Sequence, residues 1–381
     1  MEIKNLKKAA NKIIKAIKNN EKIIIYGDSD MDGVCSVIIL KDAIKSLGGD
    51  VSRVYFVDRE TEGYGINRTA LNNLKDEAPA LFVALDCGIG NFEEIDIANK
   101  MGFTVIVIDH HIVLEKLPKA EIVVDPKQPG DKYPFKEFAT VGIVYRLAIL
   151  LLKDKMTNSL RRDILELAAM ATIADMMPKT DDNEEIIMEG LSSLKSSWRP
   201  GIQALLSLEN IQSSSLMSQV IKMNSLLNIR NVKDEVPAAF RLLTISDIDE
   251  AGRMTEKLLE RIEEKRRKIK DIVEEIERRI SSKKDSVIFE GDSRWELILL
   301  GVVASILSRK YERPVFLYRK DKEDSQGSIR ASQKGYDVVE AMKTCRNLLI
   351  TYGGHAPAAG FRVKNENLKK FNECLTKYYD K

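Results

Sequence analysis

The stretch VIVIDHH, residues Val105–His111, joins a strand-like run of apolar residues to an unusual concentration of histidine. Continuous β-branched residues are typical of a strand that is buried on both faces. Two of the three histidines in the whole chain stand side by side here, directly after Asp109. The pattern predicts a buried strand whose end carries titratable side chains. By itself it also fits a strand cap with one structural histidine.

Apolar runs of the same kind lie on both sides of this stretch and alternate with segments of helical spacing. The strand candidates are IIIYG (23–27), VYFV (54–57), LFVALD (81–86), TVIVID (104–109) and EIVVD (121–125). Near-continuous apolar strands separated by helices indicate a parallel sheet that helices cover on both faces. Further helices are predicted at about 139–153 and 160–173. The first half of the chain is therefore predicted to be an α/β domain.

Three of these strands end in chemically active residues. The first strand runs into DSDMDG (28–33), the third ends at Asp86, and the fourth ends at Asp109, His110 and His111. Ligands of open parallel sheets bind just outside the carboxyl ends of the strands. Five carboxylates and two imidazoles are therefore predicted to converge at one edge of the sheet.

Converging carboxylates raise one another's pKa values unless cations neutralise them. Oxygen-rich ligand sets with one or two imidazoles suit Mn²⁺ or Mg²⁺ better than the thiolate-rich sets of structural zinc. The ligands suffice for two ions about 3.5–4 Å apart that share a carboxylate, as in phosphoester hydrolysis. A calcium loop is the alternative for DSDMDG, but the twelfth position, counted from Asp28, is Ile39 instead of the required glutamate.

The second half of the chain follows a different pattern. Residues 253–284 carry one narrow apolar stripe in an otherwise charged sequence, which predicts a long, largely solvated helix. Beyond it lie strand candidates at 286–290, 315–319 and 327–330, helix candidates near 301–310 and 336–345, and the glycine-rich loop TYGGHAPAAGF at 351–361. The predicted parts are an α/β domain over residues 1–250, a connecting helix over 251–284 and a smaller mixed α/β domain over 285–381.

Composition narrows the class of protein. The chain has 381 residues, of which 44% are hydrophobic and 31% charged, as in a soluble globular protein of two domains. Its longest apolar run, at 147–152, is far shorter than the ~20 residues of a membrane span. The net charge of +2 does not indicate a nucleic-acid binder, so any basic groove must be local. Four cysteines without a CxxC pair predict free thiols in a reducing cytoplasm: Cys35, Cys87, Cys345 and Cys374.

Four motifs in the first half resemble those of the DHH phosphoesterase superfamily. They are GDSDMDG (27–33), ALDCG (84–88), VIDHH (107–111) and ATIADMMP (171–178). Within the superfamily the chain is most similar to the RecJ-like single-strand-specific exonucleases. That similarity rests on EGYGIN (62–67), RPGIQALL (199–206) and RPVFLY (313–318) and extends over nearly the whole chain.

The resemblance implies a role for each residue of the site. Asp86 would bridge two metal ions, Asp109 would orient the site, and His111 would stand beside the scissile phosphate. Asp175 becomes a candidate only through the resemblance, because by composition it could simply end a helix. The implied metal ligands are Asp28, Asp30, Asp32, Asp86, His110 and Asp175.

In the second half, the resemblance implies that the glycine-rich loop faces the metal site across an interdomain cleft. The phosphate-binding residues would be Arg59, Ser328, Arg330, Gly353, Gly354 and His355. Guanidinium groups suit this task because they bind phosphate through two parallel hydrogen bonds. On the residues alone, Arg59 and Arg330 fit an exposed surface ion pair equally well.

Two features depart from the bacterial pattern. Where bacterial RecJ proteins have an N-A-A-G-R element, this chain has NSLLN (224–228), without the glycine and the arginine that serve terminal-phosphate recognition. The chain also ends soon after the glycine-rich loop, without the OB-fold module that grips single strands in bacterial RecJ. This compact form is similar to that of archaeal RecJ-like proteins.

The implied activity is metal-dependent exonucleolytic hydrolysis of single-stranded DNA or RNA in repair or replication, with Mn²⁺ or Mg²⁺ as cofactor. One alternative is a phosphodiesterase of short oligonucleotides or cyclic dinucleotides, which has the same DHH core. The other is a replisome subunit with a structural role, and the archaeal GINS replication complex is an expected partner. Polarity of digestion, DNA or RNA preference and oligomeric state stay open at the level of sequence.

Overall fold

The computed structural model describes residues 2–59, 62–113, 116–212, 215–228, 232–233, 236–281, 285–332 and 335–380. The chain forms two compact units, residues 1–259 (unit 1) and residues 260–381 (unit 2). The boundary lies inside one continuous helix of 33 residues, Ile248–Ile280. Residues 282–284, the end of the predicted connector, lie outside the described residues.

Unit 1 alternates strands and helices before it becomes helical. Its first part comprises α1 Leu6–Lys18, β1 Ile23–Gly27, α2 Met31–Ser46, β2 Arg53–Phe56, α3 Arg68–Leu74, β3 Ala80–Leu85, α4 Phe92–Lys100, β4 Phe103–Ile108 and β5 Ile122–Val124. Its second part comprises α5 Thr140–Leu152, α6 Asn158–Ala174, α7 Asp181–Leu194, α8 Pro200–Leu206, α9 Glu209–Gln212, α10 Leu216–Leu227, β6 Val232–Lys233, β7 Val236–Pro237, α11 Ala238–Thr244 and α12 Ile248–Ile280.

The main sheet of unit 1 has the strand order β2-β1-β3-β4-β5, and every neighbouring pair is parallel. All five strands begin and end within one residue of their predicted bounds. The strands β1, β3 and β5 are buried throughout, because helices pack on both faces of the sheet. The predicted parallel α/β fold is confirmed.

Unit 2 contains a mixed sheet of order β11-β12-β10-β9-β8, in which only the pair β8 and β9 is parallel among the described strands. Its elements are β8 Ile288–Asp292, α13 Leu297–Tyr311, β9 Val315–Lys320, β10 Asp324–Arg330, α14 Val338–Thr344, β11 Leu349–His355, β12 Ala358–Lys364 and α15 Leu368–Tyr379. One apolar cluster joins the sheet to α14 and α15, and a second joins the opposite face to α12 and α13.

The predicted glycine-rich loop is instead a β-hairpin. Gly353, Gly354 and His355 end strand β11, which pairs with β12, so only Ala356 and Pro357 form the turn. The sequence favoured a loop because glycine weakens a strand in isolation. Here Gly354 has a φ of 144° and lies against Ala359, where a Cβ atom would approach the Ala358 carbonyl oxygen to 2.5 Å. This position therefore requires glycine within the strand.

The cysteine prediction is wrong for one pair. Cys345 and Cys374 form a disulfide, with Cα atoms 6.1 Å apart and a sequence separation of 29. The end of α14 lies beside α15 in the fold, and sequence spacing alone does not reveal this proximity. Cys35 and Cys87 are free and buried. Within the described ranges, no helix has both the length and the apolar composition that a bilayer crossing requires.

Candidate metal centre and phosphate face

The strand order of unit 1 reverses direction between β1 and β3, and ligands of such sheets bind in the crevice at this point. Asp28 follows β1, Asp86 follows β3 and Asp109 follows β4. Each of these residues extends the ladder by one backbone hydrogen bond to the neighbouring strand; the Asp86 N–H, for example, donates to the Ile108 carbonyl at 3.0 Å. The sheet therefore fixes where all three carboxylates leave it.

Three overlapping groups of side chains meet at this edge. They are formed by Asp28, Asp30 and Asp86, by Asp32, His110 and Asp175, and by Asp86, His110 and His111; within each group one ligand atom per residue lies within 4.8 Å of the others. His110 Nε2 connects the groups, since it lies 3.5 Å from an oxygen of Asp86 and 3.5 Å from an oxygen of Asp175. All six predicted ligands thus come together, and we call this set the candidate metal centre.

Helix ends hold two of these carboxylates in place. Asp30 caps α2, because its Oδ1 accepts hydrogen bonds from the N–H groups of Asp32 and Gly33. Asp32 accepts from the N–H groups of Thr140 (2.7 Å) and Val141 (2.8 Å) at the start of α5. The Thr140 hydroxyl donates to Asp86 Oδ1 at 3.1 Å. Sequence analysis missed Thr140, because α5 starts more than 100 residues after Asp32 and carries no motif.

The electrostatics of the centre favour a bound cation. Burial, together with the charges of Asp32 and Asp30, raises the pKa of Asp86 well above its usual range. Burial and the charges of Asp30 and Asp175 raise the pKa of Asp32 to about 8, and the pKa of Asp175 rises to about 6, mainly through burial. These carboxylates therefore need either protons or metal ions.

The donor set also fits a divalent metal. Burial and the neighbouring His111 lower the pKa of His110 to about 4, so its imidazole is neutral at pH 7 and can ligate through Nε2. Asp175 Oδ2 accepts no hydrogen bond within the described part of the chain, although it is buried. Five carboxylates and one neutral imidazole, without a thiolate, suit Mn²⁺ or Mg²⁺.

Arg59 lies on the candidate metal centre itself. Its guanidinium contacts both oxygens of Asp28 and reaches Asp30 Oδ2 at 2.9 Å. The predicted alternatives for Arg59 were phosphate binding and an exposed surface ion pair. The structure shows an ion pair, but its partners are carboxylates of the site, and Asp28 is fully buried. Its binding of phosphate stays a prediction.

Asp109 orients His111. Its Oδ1 lies 2.7 Å from His111 Nδ1, and its Oδ2 accepts from the Ile89 N–H at 3.0 Å. Burial alone would raise the pKa of Asp109, but the hydrogen bonds and charge of His111 outweigh it and lower that pKa. For His111, burial would lower the pKa, and Asp109 outweighs this effect and raises it. His111 can therefore carry a proton while its side chain stays 43% exposed.

Tyr64 is a further residue of the site. Its hydroxyl donates to the Asp86 backbone carbonyl at 3.2 Å and lies 3.2 Å from His111 Nδ1. The Arg59 guanidinium lies over its ring, 5.1 Å from the centroid. The EGYG element predicted no role for its tyrosine; an aromatic residue five positions after Arg59 was the available signal.

In unit 2, strand register brings the predicted phosphate-binding residues together. Across β11, β12 and β10, His355 lies opposite Ala358, which lies opposite Arg330. One step along, Gly353, Gly360 and Ser328 form the next row on the same face. Gly354 alternates to the other face. We call the set of Ser328, Arg330, Gly353 and His355 the candidate phosphate face.

Two family profiles match the chain: the DHH family, N-terminal domain, over residues 22–172, and the DHHA1 domain over residues 284–381. The single-stranded-DNA-specific exonuclease RecJ of Bacillus subtilis is 32% identical over 385 residues, which cover 100% of this chain and 48% of that protein. The chain thus contains a DHH domain and a DHHA1 domain and is similar to RecJ. The RecJ of Thermus thermophilus is 29% identical and is covered to 55% of its length. This RecJ-like chain thus spans about half the length of these relatives.

Solved structures agree with this assignment. A crystal structure of exonuclease RecJ bound to manganese superimposes with a TM-score of 0.83 at 26% identity, covering 100% of this chain and 96% of that one. RecJ of Thermus thermophilus in complex with Mn²⁺ superimposes with a TM-score of 0.75 at 25% identity, covering 100% of this chain and 55% of that one. The two-domain α/β architecture of the RecJ-like group is therefore present in this chain.

Proposed function

We propose that this RecJ-like chain is a metal-dependent exonuclease that hydrolyses phosphodiester bonds of single-stranded DNA or RNA. The observation that carries the proposal is the set of overlapping ligand groups that share Asp86 and His110. A site of this kind can hold two ions with Asp86 as the shared ligand. The relatives support it, since they include single-stranded-DNA-specific exonucleases and a RecJ bound to manganese.

The metal ions would be held by Asp28, Asp30, Asp32, Asp86, His110 and Asp175, and they would supply an acidified water and neutralise the phosphate charge. The protein's own groups complete the site. His111, held by Asp109, donates a proton toward the phosphoryl or leaving oxygen. Thr140 and Tyr64 hold Asp86 and His111 in position.

Substrate phosphates would be bound by cationic side chains and by neutral hydrogen-bond donors. Arg330, Ser328, His355 and the Gly353 backbone lie on one sheet face and offer several donors to one anion. Arg59 would exchange its contacts with Asp28 and Asp30 for a phosphate when metal ions neutralise those carboxylates. We further propose residues 1–250 as the metal-binding domain, 251–284 as the connector and 285–381 as the substrate-binding domain.

The decisive experiment digests end-labelled single-stranded DNA and RNA with the full chain in Mn²⁺, Mg²⁺ or chelator. We expect a ladder of products only with metal, and the position of the label reports polarity. Dinucleotides and cyclic dinucleotides are tested beside strands of tens of nucleotides. Faster cleavage of the dinucleotides would replace the proposal by the short-substrate phosphodiesterase, and no cleavage of any substrate would favour a structural replisome subunit.

The cellular context stays a prediction. A GINS-type replication complex is the predicted partner, and co-elution of the two purified components on gel filtration tests it. A cytoplasmic location is predicted from the sequence, and fractionation of the source cells tests that prediction.

A further inference from the structure

Helix α13 carries an exposed apolar stripe beside the candidate phosphate face. Its buried side faces the core through Leu300 and Val303, whereas Ile298 is 48% and Val302 is 44% exposed. The two exposed residues are four positions apart and therefore lie on one side of the helix. We call Ile298 and Val302 the α13 stripe.

The distance between this stripe and the phosphate-binding side chains is short. A Cβ atom built on Gly301 would lie 3.0 Å from Arg330 Nη2 and 3.8 Å from Ser328 Oγ. Gly301 is three residues after Ile298 and directly precedes Val302. The helix therefore approaches the arginine and the serine at the level of the stripe, and a glycine at this position leaves room for the guanidinium against the helix.

The sheet face beside α13 alternates large polar residues with small ones. Moving away from α13 across the sheet, the rows contain Arg330, Ala358 and His355, and then Ser328, Gly360 and Gly353. These rows span two strand spacings, roughly 10 Å. Unit 2 thus presents donors for an anion on the sheet face next to the helix that carries the α13 stripe.

We propose that the α13 stripe binds the base of the nucleotide whose phosphate lies at Arg330 and Ser328. This inference rests on the proposed function, because a nucleic acid must be the substrate. The sugar and base of a nucleotide whose phosphate is bound at Arg330 would lie within reach of the α13 stripe. Aliphatic side chains contact the face of any base and read no hydrogen-bonding edge, so this contact is independent of sequence.

The test compares the variant Ile298→Ser/Val302→Ser with the native full chain in Mn²⁺. Substrates are a plain single strand and a set of strands in which one abasic residue is placed in turn at each of the first positions from either end. We expect kcat/KM of the variant to fall about tenfold on the plain strand, mainly through KM. On the strand that lacks the base at the bound position, native protein and variant should be equal.

The matched control is Ile248→Ser, which removes an isoleucine that is 49% exposed at the start of α12. It should cleave every strand at the native rate. A second variant, Ile298→Leu/Val302→Leu, keeps both side chains apolar and should have the native KM.

Three results would overturn the inference. The first is native kcat/KM for the variant on the plain strand. The second is an equal loss on the plain strand and on every abasic strand. The third is a lowered melting temperature that accounts for the loss on the plain strand, which would assign the stripe to packing against protein. If the native chain cleaves no strand at all, it is the proposed function that fails, and this result differs from the other three.

Discussion

The candidate metal centre of unit 1 is buried and acidic, whereas the candidate phosphate face of unit 2 is exposed and carries arginine and histidine. Parallel strand ends and neighbouring helix ends assemble the first from residues spread between 28 and 175. Antiparallel register assembles the second from three neighbouring strands. Without a cation, the metal centre destabilises the fold because its buried carboxylates repel one another. The phosphate face offers hydrogen-bond donors to an anion.

This difference predicts which property a mutation at each site should change. Changes at the metal centre alter the charge of a buried group and should affect catalysis and the stability of unit 1 together. Changes at the phosphate face should alter substrate binding and leave metal binding intact.

Asp86→Asn should lower the cleavage rate on the order of a thousandfold, which corresponds to ~4 kcal/mol of transition-state stabilisation. Asp86 is buried among other carboxylates, so removal of its charge should also raise the melting temperature of the metal-free protein. Calorimetry with and without Mn²⁺ checks both effects. Asp76→Asn, at an exposed position, is the control. Native turnover in Asp86→Asn would contradict the role of Asp86.

Reduction of the Cys345–Cys374 disulfide should destabilise unit 2 by about 3–4 kcal/mol, because the bridge closes a loop across 29 residues. Urea unfolding with and without reductant measures this free energy. The Cys345→Ser/Cys374→Ser variant should be insensitive to reductant. Mn²⁺ binding to unit 1 should not change; weaker metal binding after reduction would break the separation between the two sites.

Mn²⁺ affinity should rise with pH between about 6 and 8. The pKa of Asp175 is about 6 and that of Asp32 about 8, so protons occupy these carboxylates at lower pH and compete with the metal. Each pH unit below 8 should weaken binding by up to about tenfold. Titration calorimetry in buffers of different ionisation enthalpy measures the released protons. In Asp32→Asn the proton release should decrease, and pH-independent affinity in the native protein would argue against the raised pKa values.

His355→Ala should raise KM for single strands by about tenfold, since one donor to a charged phosphate is lost. The exposed position of His355 on β11 predicts no effect on folding. Mn²⁺ titration should give the native affinity. If the titration instead showed a loss of metal, His355 would have to be reassigned to the metal centre.

Thr140→Val should lower kcat about three- to fivefold, because it removes the hydroxyl that donates to Asp86 but keeps the N–H that donates to Asp32. The matched control is Thr172→Val, since the buried hydroxyl of Thr172 has no hydrogen-bond partner within the described part of the chain. Equal rates for the two variants would show that the Thr140 hydroxyl does not position Asp86.

The metal centre was predictable because its residues stand directly after strands that are apolar throughout. Strand ends such as Asp28 and Asp86 can be found without knowledge of tertiary contacts. Asp175 ends a helix instead, so only the family resemblance identified it. Thr140 and Tyr64 depend on contacts between distant segments, which no local pattern records.

The second unit was harder to predict for the same reason. Its glycine-rich segment has the composition of a turn, and only pairing with β12 makes it a strand. The disulfide depends on the approach of α14 and α15, and the single row of His355 and Arg330 depends on register. Antiparallel register is a property of several strands together and cannot be read from one of them.

Asp30 divides its carboxylate between two tasks, since Oδ1 caps α2 and Oδ2 faces Arg59 in the metal centre. A substitution here would remove a ligand and also weaken the start of a helix that lies in the core of unit 1. Selection for a folded protein therefore preserves this aspartate even without selection for catalysis. In descendants that lost the activity, Asp30 should be among the last traces of the ancestral enzyme to disappear.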